Sequence, residues 1–295
     1  MNTSVTPSTG SRLIAVVGAT GKQGGSVVDA LLERGARVRA LVRDPGAPAA
    51  QHLADRGVEL TAGDLGDAAS LDTLFDGVDA AFAMTTPIPA GTGQETADGT
   101  AIADAAARAQ LPHLVFSSVG GAERETGVPH FESKRRAEEH IAALGIHHTF
   151  LRPVFFMDNF AGFSTSVEHG QVVVRMAMPG DIPLQMVAVS DIGKAAAAIL
   201  LGATAVEGTS VEIAGDSLTG KQIAQAIGAH AGLPARYEAL PLEAIASFGD
   251  TAAMFRWFTE TPAYQADFAA TRALVPSVLD FSSWLASSGW NPAAS

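Results

Sequence analysis

The sequence predicts an α/β fold: a Rossmann-type, doubly wound parallel sheet with a smaller C-terminal α/β domain on the substrate side. Three observations predict it. Short apolar runs alternate with helical patterns through the first half of the chain, no hairpin signal separates them, and a glycine-rich turn joins the first run to the first helix. Strands that follow one another without hairpins need crossover helices, and right-handed crossovers wind those helices onto both faces of one parallel sheet.

The elements follow in order. Leu13 to Val17 is a continuous apolar run, as expected of a strand buried on both faces. Val27, Val28, Leu31 and Leu32 then fall at helical spacing, with Gly35 placed as a C-terminal cap. Val38–Val42 predicts strand two, Ala47–Arg56 a helix and Val58–Thr61 strand three. Leu71, Leu74 and Phe75 mark a short helix before strand four at Ala80–Met84. The loop Thr85–Gly93, rich in Pro, Gly and Thr, is irregular; Gln94–Ala109 is an Ala-rich helix and Leu114–Phe116 strand five. A helix over His130–Leu144 leads to strand six at His148–Leu151. Beyond it, Gln185–Val189 and Thr209–Ala214 read as strands, Ser190–Leu201 and Thr219–Ala231 as helices. From Pro234 onward the aromatics thicken, as expected of a small domain folded over the open end of the sheet. The organisation expected is a tail over 1–11, a dinucleotide domain over 12–153 to which 185–215 returns, and a substrate or lid domain over most of 154–295.

Composition narrows the function. The 295 residues are 47% hydrophobic and only 17% charged, which suits a globular chain with a large core. Nineteen basic against 31 acidic residues leave a net charge of −12, unsuited to nucleic acid or an anionic membrane surface, both polyanions. Without cysteine there is no disulfide framework, thiolate metal site or thiol nucleophile. The Ser/Thr/Pro-rich start lacks the basic and apolar regions of a signal peptide and reads as a frayed tail, and Ala195–Val206 is too short to span a membrane, so a cytoplasmic protein is expected.

Gly18-Ala19-Thr20-Gly21-Lys22-Gln23-Gly24 stands between strand one and helix one. In that context the glycines have separate uses: Gly18 for the tight turn, Gly21 for close approach to a pyrophosphate, Gly24 for packing of the helix. The helix N-terminus adds free N–H groups and partial positive charge, so a dinucleotide is expected here, with Thr20, Lys22 and Gln23 among its contacts. Arg43 ends strand two, where its guanidinium can grip a 2′-phosphate; Lys22 is a second cation, in a chain of only four lysines. These favour NADP(H) over NAD(H), although Asp44 can serve ribose hydroxyls instead and Arg43 can be a solvated strand-end charge. Asp64 and Leu65 after strand three can contact the adenine, or Asp64 can cap the next helix. Thr85, Thr86 and Pro87, after strand four, are expected beside the cofactor.

Ser118 closes strand five, and His130-Phe131-Glu132-Ser133-Lys134 opens the next helix with His130 and Lys134 on one face. Lys134 can bind a nicotinamide ribose and polarise an acceptor, or be a surface charge beside Arg135 and Arg136; His130 and Ser118 are catalytic candidates with equally plain structural alternatives. Phe156, Met157, Phe160, Trp257 and Tyr264 are candidates for an apolar substrate pocket, against the alternative that they are core.

Taken together, Gly18–Gly24, Gly63-Asp64-Leu65, His130–Lys134, the segment Thr149–Asn159 and Asp191-Ile192-Gly193-Lys194 resemble the NmrA-like family of atypical short-chain dehydrogenases/reductases, from about Leu13 to about Gly232. The resemblance implies NADP(H), with the nicotinamide near Pro153, Val154, Phe155 and Phe156. It covers quinone reductases, plant reductases that use a lysine placed like Lys134, and regulators that sense NADP(H) without turning it over. One departure matters. The superfamily's tyrosine four residues before the lysine is His130 here, and neither Tyr237 nor Tyr264 is followed by a lysine at that spacing. The usual proton donor is missing; an imidazole can replace it, and a quinone needs less help than a ketone.

The sequence therefore supports two functions: an NADPH-dependent reductase of a small apolar or aromatic quinone, enone or carbonyl, and a non-catalytic NADP(H) sensor with a protein partner. A homodimer is a prior expectation for either. Gly215–Gln222 nearly spells a P-loop but has Gln222 where the magnesium-binding hydroxyl belongs, and no histidine pattern suggests a metal.

Overall fold

A computed structural model describes residues 11–162, 164–204, 206, 208–260 and 262–294. The tail expected over residues 1–10 lies outside them. The Rossmann half runs β1 (Leu13–Val16), α1 (Lys22–Glu33), β2 (Arg37–Val42), α2 (Pro48–Asp55), β3 (Glu59–Ala62), α3 (Ala68–Phe75), β4 (Ala80–Met84), α4 (Thr92–Arg108), β5 (Leu114–Ser117), α5 (Pro129–Ala143) and β6 (His148–Pro153). Further on come β7 (Phe155–Phe156), β8 (Thr165–Glu168), β9 (Gln171–Met176), β10 (Pro183–Val187), α6 (Val189–Leu200) and β11 (Ser210–Ile213). The chain ends with β12 (Asp216–Thr219), α7 (Gly220–Ala231), β13 (Ala235–Ala239), α8 (Gly249–Glu260), α9 (Phe268–Leu274) and α10 (Phe281–Ser287).

Among the described residues, seven parallel strands form the large sheet in the order β11-β6-β5-β4-β1-β2-β3. The chain reverses direction of travel between β1 and β4, and ligands of open α/β sheets bind outside the carboxyl ends of strands at such a switch point. The strands are near-continuous apolar runs because helices cover both faces: β1 and β5 are buried at every position. One core layer packs α1 and α6 on the sheet; the other packs α3, α4 and α5.

The segment 185–215, expected to return to the dinucleotide domain, contributes strands to two different sheets. Ser210–Ile213 pairs with Phe150–Pro153 as the edge strand, and α6 lies against α1. Pro183–Val187 goes elsewhere, pairing with β7 and β12 in a small sheet, because β11 already occupies the free edge of β6. A second small sheet, β13-β9-β8, contains a hairpin the sequence reading did not anticipate. Its two-residue turn is His169-Gly170, both with positive φ, the geometry of a tight β-hairpin usually written Asn-Gly. The P-loop-like stretch is a strand and a helix start, where Thr219 and Gln222 form a capping box.

Two of the segments that carried the family resemblance tie the halves together. Asp158 accepts from the Val189 amide at 2.9 Å, capping α6. Asp191, buried in α6, accepts from the Leu279 amide at 2.8 Å and pairs with Lys194 at 2.7 Å. Among the described residues no helix is long and apolar enough to cross a membrane, and no group of three or more His, Cys, Asp or Glu could hold a metal ion.

His113 sits below β5, with Nε2 2.9 Å from Thr149 Oγ1 and its ring stacked on His147 at 4.2 Å. Burial first, then the neighbouring His147 and His148, lower its pKa from 6.5 to about 4. The unfolded chain therefore takes up this proton first as pH falls, so stability is lost between about 6.5 and about 4. Urea unfolding across that range should show the decline, and His113→Gln should flatten it; an unchanged slope contradicts the assignment.

Candidate cofactor and reaction site

The turn after β1 is built by close approach. Gly18 has φ +78°, and its amide neighbour Gly21 donates back to the Gly18 carbonyl at 2.9 Å. A Cβ on Gly24 would stand 2.2 Å from that same carbonyl oxygen, so only glycine lets the first turn of α1 seat here. A Cβ on Gly21 would meet nothing nearer than 3.4 Å, so packing within the protein does not demand glycine there; the room lies on the outer side of the turn. No side chain caps α1 and its first turn holds no acid, which leaves its amides and positive dipole end for an anion. A dinucleotide pyrophosphate fits this cradle.

Around it, Thr20, Lys22 and Arg43 are exposed, and among the described residues neither Lys22 nor Arg43 has an ionic partner. Asp44 turns its carboxylate onto the Gly46 amide at 2.8 Å. Asp64 likewise accepts from Gly66 at 2.9 Å, and α3 is capped by Asp67, which accepts from Ala69. The helix-cap reading of Asp64 is thus corrected: the cap lies three residues further on. Leu65 is half-buried against the α3–α5 core layer.

The carboxyl ends of β4, β5 and β6 open into a cavity of about 260 Å³. Thr85, Thr86 and Pro87 form one wall, Pro153, Val154, Phe155 and Phe156 another. Gln23, Ser118, His130 and Lys134 reach it from α1, β5 and α5, and Met254 and Tyr264 from the C-terminal segment. The structure thus gathers all three catalytic candidates into one cavity. Met157, Phe160 and Trp257 are corrected to core. Met157 and Phe160 are fully buried, and Phe160 packs on Phe155 and Phe281 at 5.7 and 5.4 Å between ring centres. Trp257 is sandwiched among Phe131, Phe258 and Tyr264, behind the wall rather than on it. Their aromatic composition alone could not separate a wall from the layer behind it.

Lys134 is only 8% exposed, which overturns its surface-charge reading. Its Nζ lies 2.6 Å from the Thr85 carbonyl, 3.0 Å from Thr85 Oγ1, 3.1 Å from Glu95 Oε1 and 3.4 Å from the Ser117 carbonyl. Four acceptors for three protons hold the ammonium inside the protein. Burial lowers the Lys134 pKa, and the facing Glu95 carboxylate opposes that fall. Glu95, wholly buried on α4, also accepts from Ser133 Oγ. Sequence reasoning missed it: one of three acids in a polar, Ala-rich helix carries no signal of the cation it meets.

Ser118 Oγ is buried in the cavity wall and has no hydrogen-bond partner among the described residues, as expected of a hydroxyl reserved for a ligand. Ser117 differs: its hydroxyl donates to Gln23 Oε1 at 2.8 Å, tying β5 to α1. His130 Nδ1 lies 2.7 Å from Asp250 Oδ1 on α8, a second partner the sequence did not reveal. Tyr264 is held in place by its neighbours: Arg124 donates to the Pro262 and Ala263 carbonyls, and Glu212 accepts from Gln265 N at 3.2 Å. Burial, then Glu212, push its phenol pKa up.

A larger groove of about 690 Å³ lies along β11 and α9. Its charges are satisfied internally: Arg152 pairs with Glu138 and Glu123, and Glu212 accepts from Gly121 N. The smaller cavity at the switch point is the one whose wall carries the Ser118 hydroxyl, unpartnered among the described residues.

The sequence pattern of the NmrA-like family matches residues 10–285. The chain belongs to the NmrA-like family. It is 32% identical to the NAD(P)H azoreductase of Xenophilus azovorans over 78% of each chain. In structure it is similar to the triphenylmethane reductase of Citrobacter sp. complexed with NADP(H), with TM-score 0.79, 25% identity and coverage of 92% of this chain and 99% of that one. It is also similar to NmrA, a negative transcriptional regulator, with TM-score 0.80, 24% identity and coverage of 94% and 95%; that likeness is one of fold.

The buried pair makes a stability prediction. Glu95→Gln should remove roughly 3–5 kcal/mol of unfolding free energy, because it strands an ammonium without counter-charge. Lys134→Met combined with Glu95→Leu should recover much of that loss in urea unfolding. Equal losses in the single and double variants would contradict a coupled pair.

Proposed function

We propose that this chain binds NADP(H) at the glycine turn and reduces a small apolar or aromatic acceptor, a quinone, enone, carbonyl or azo compound, in the cavity at the switch point. The observation that carries the reading is the meeting of three features in one cavity: a buried, internally held lysine, an unpartnered serine hydroxyl and a histidine with one ring nitrogen already engaged. Lys22 and Arg43, exposed and without an ionic partner among the described residues, suit a 2′-phosphate, while Asp44 is taken up by its own turn. The azoreductase and the NADP(H)-bound triphenylmethane reductase support the cofactor and the reaction class.

Bound NADPH supplies the hydride. This chain's residues bind and orient the acceptor, exclude water and deliver one proton. Phe155, Phe156 and Met254 give the apolar walls that suit a flat acceptor, and Ser118 Oγ can hydrogen-bond a polar edge of the ligand. Lys134 has its protons committed to Thr85, Ser117 and Glu95, so its part is to fix the ends of β4 and β5 rather than to protonate. Tyr264 is made a poorer acid by burial. His130 remains: with Nδ1 at Asp250, the imidazolium has Nε2–H to give. Residues 12–153 with β11 and α6 then form the cofactor-binding part, and the C-terminal segment lids the acceptor side.

NADPH oxidation, followed optically over quinones, enones, aldehydes and azo dyes, tests the reading. Turnover is expected on the aromatic acceptors, with His130→Gln lowering kcat by roughly 10²-fold at unchanged NADPH affinity. Tight NADPH binding with no turnover on any acceptor would overturn the reductase and leave a sensor.

A further inference from the structure

We infer that Asp250 is the positioning residue for His130, so that helix α8 of the C-terminal segment completes the proton-delivering site. The inference rests on the proposed reading of His130 as proton donor. Asp250 Oδ1 lies 2.7 Å from His130 Nδ1 and also accepts from the His130 main-chain amide at 3.1 Å. The two residues are 120 positions apart, so the contact is made only when α8 has docked on α5. Helix α5 has no side-chain cap of its own at Val128; Asp250 supplies one from across the fold.

The same oxygen thereby does two things to one residue. Its bond to the amide fixes where α5 begins, and its bond to Nδ1 fixes the ring. A carboxylate at Nδ1 keeps the proton on that nitrogen in the neutral ring and leaves Nε2 as the nitrogen that gains and gives a proton. The groups around His130 agree with this. Glu95 on α4 is turned to Lys134, Lys134 is held inward one turn along α5, and Glu132 accepts from Gly127 N and pairs with Arg135. Among the described residues, Asp250 is therefore the carboxylate that faces the ring, and Phe131 meets it edge-on at 4.6 Å.

Helix α8 is anchored at both ends. Asp250 holds its first turn to α5, and just past its last turn Arg124 donates to the Pro262 and Ala263 carbonyls. Between these anchors Met254 forms part of the cavity wall. Docking of this helix closes the acceptor side and sets the acid in one event. Bound NADPH would supply the hydride, becoming NADP⁺, and Nε2 of the His130 imidazolium would give the acceptor its proton. The neutral ring keeps Nδ1–H on Asp250, and water returns the proton to Nε2.

The test uses the full chain with NADPH and menadione. Asp250→Asn keeps an oxygen for the His130 amide but removes the charge, so a role in capping alone predicts little change. The inference expects kcat to fall about tenfold or more, KM for NADPH to hold, and the alkaline limb of kcat to move to lower pH. Asp250→Glu should restore part of the rate. In cofactor-free protein, ¹⁵N imidazole spectra should show the Nδ1–H form of His130 in the wild type and a mixture in Asp250→Asn. An unchanged pH profile with unchanged spectra overturns the inference. If His130→Gln loses turnover while Asp250→Asn does not, only the positioning role fails; if His130→Gln turns over like the wild type, the donor assignment fails and this inference with it.

Discussion

Everything in the site depends on how closely α1 can approach the end of β1. The carbonyl of Gly18 occupies the space where residue 24 would carry a Cβ, and that contact sets the angle at which the helix leaves the sheet. With the helix seated, its uncapped first turn faces outward at the switch point, beside the ends of β1 and β4. A partial positive charge and free amides are then fixed by backbone alone, before any side chain is considered. The neighbouring contacts are built on this frame: Gln23 from the same turn holds Ser117, and Ser117 leads into the wall that carries Ser118.

The second constraint is electrostatic. An ammonium that is 8% exposed is costly unless a counter-charge and hydrogen bonds meet it. Glu95 and the Thr85 and Ser117 carbonyls meet it, and they come from α4 and from the ends of β4 and β5. The pair therefore fastens four elements at the cavity floor. It also bears on the proposed division of labour: a lysine so engaged has no proton to spare, whereas His130 has its partner on a different part of the chain.

The strand–helix alternation was legible because strands covered on both faces read as unbroken apolar runs, and because each glycine turn marks a strand end. Six strands and their helices could be placed within a few residues, and the phosphate cradle could be read from Gly18, Gly21 and Gly24 in their setting. What could not be read were pairings across long separations. Glu95 with Lys134 and His130 with Asp250 leave no periodic trace, since Glu95 and Asp250 look like ordinary surface charges. Strands β8 and β9 were missed because His169-Gly170 is an uncommon spelling of a tight hairpin turn. Met157, Phe160 and Trp257 share their composition with Phe155, Phe156 and Met254, and only packing decides which of them face the cavity.

The family resemblance rested partly on segments whose work is architectural. Asp158 and Asp191 cap and tie helices rather than line the cavity. The most direct measurement of the central claim is a calorimetric titration of the wild-type chain with NADPH and with NADH. One site per chain, with NADPH bound the more tightly, is the predicted result; no heat with either nucleotide at millimolar concentration would contradict the account at its root.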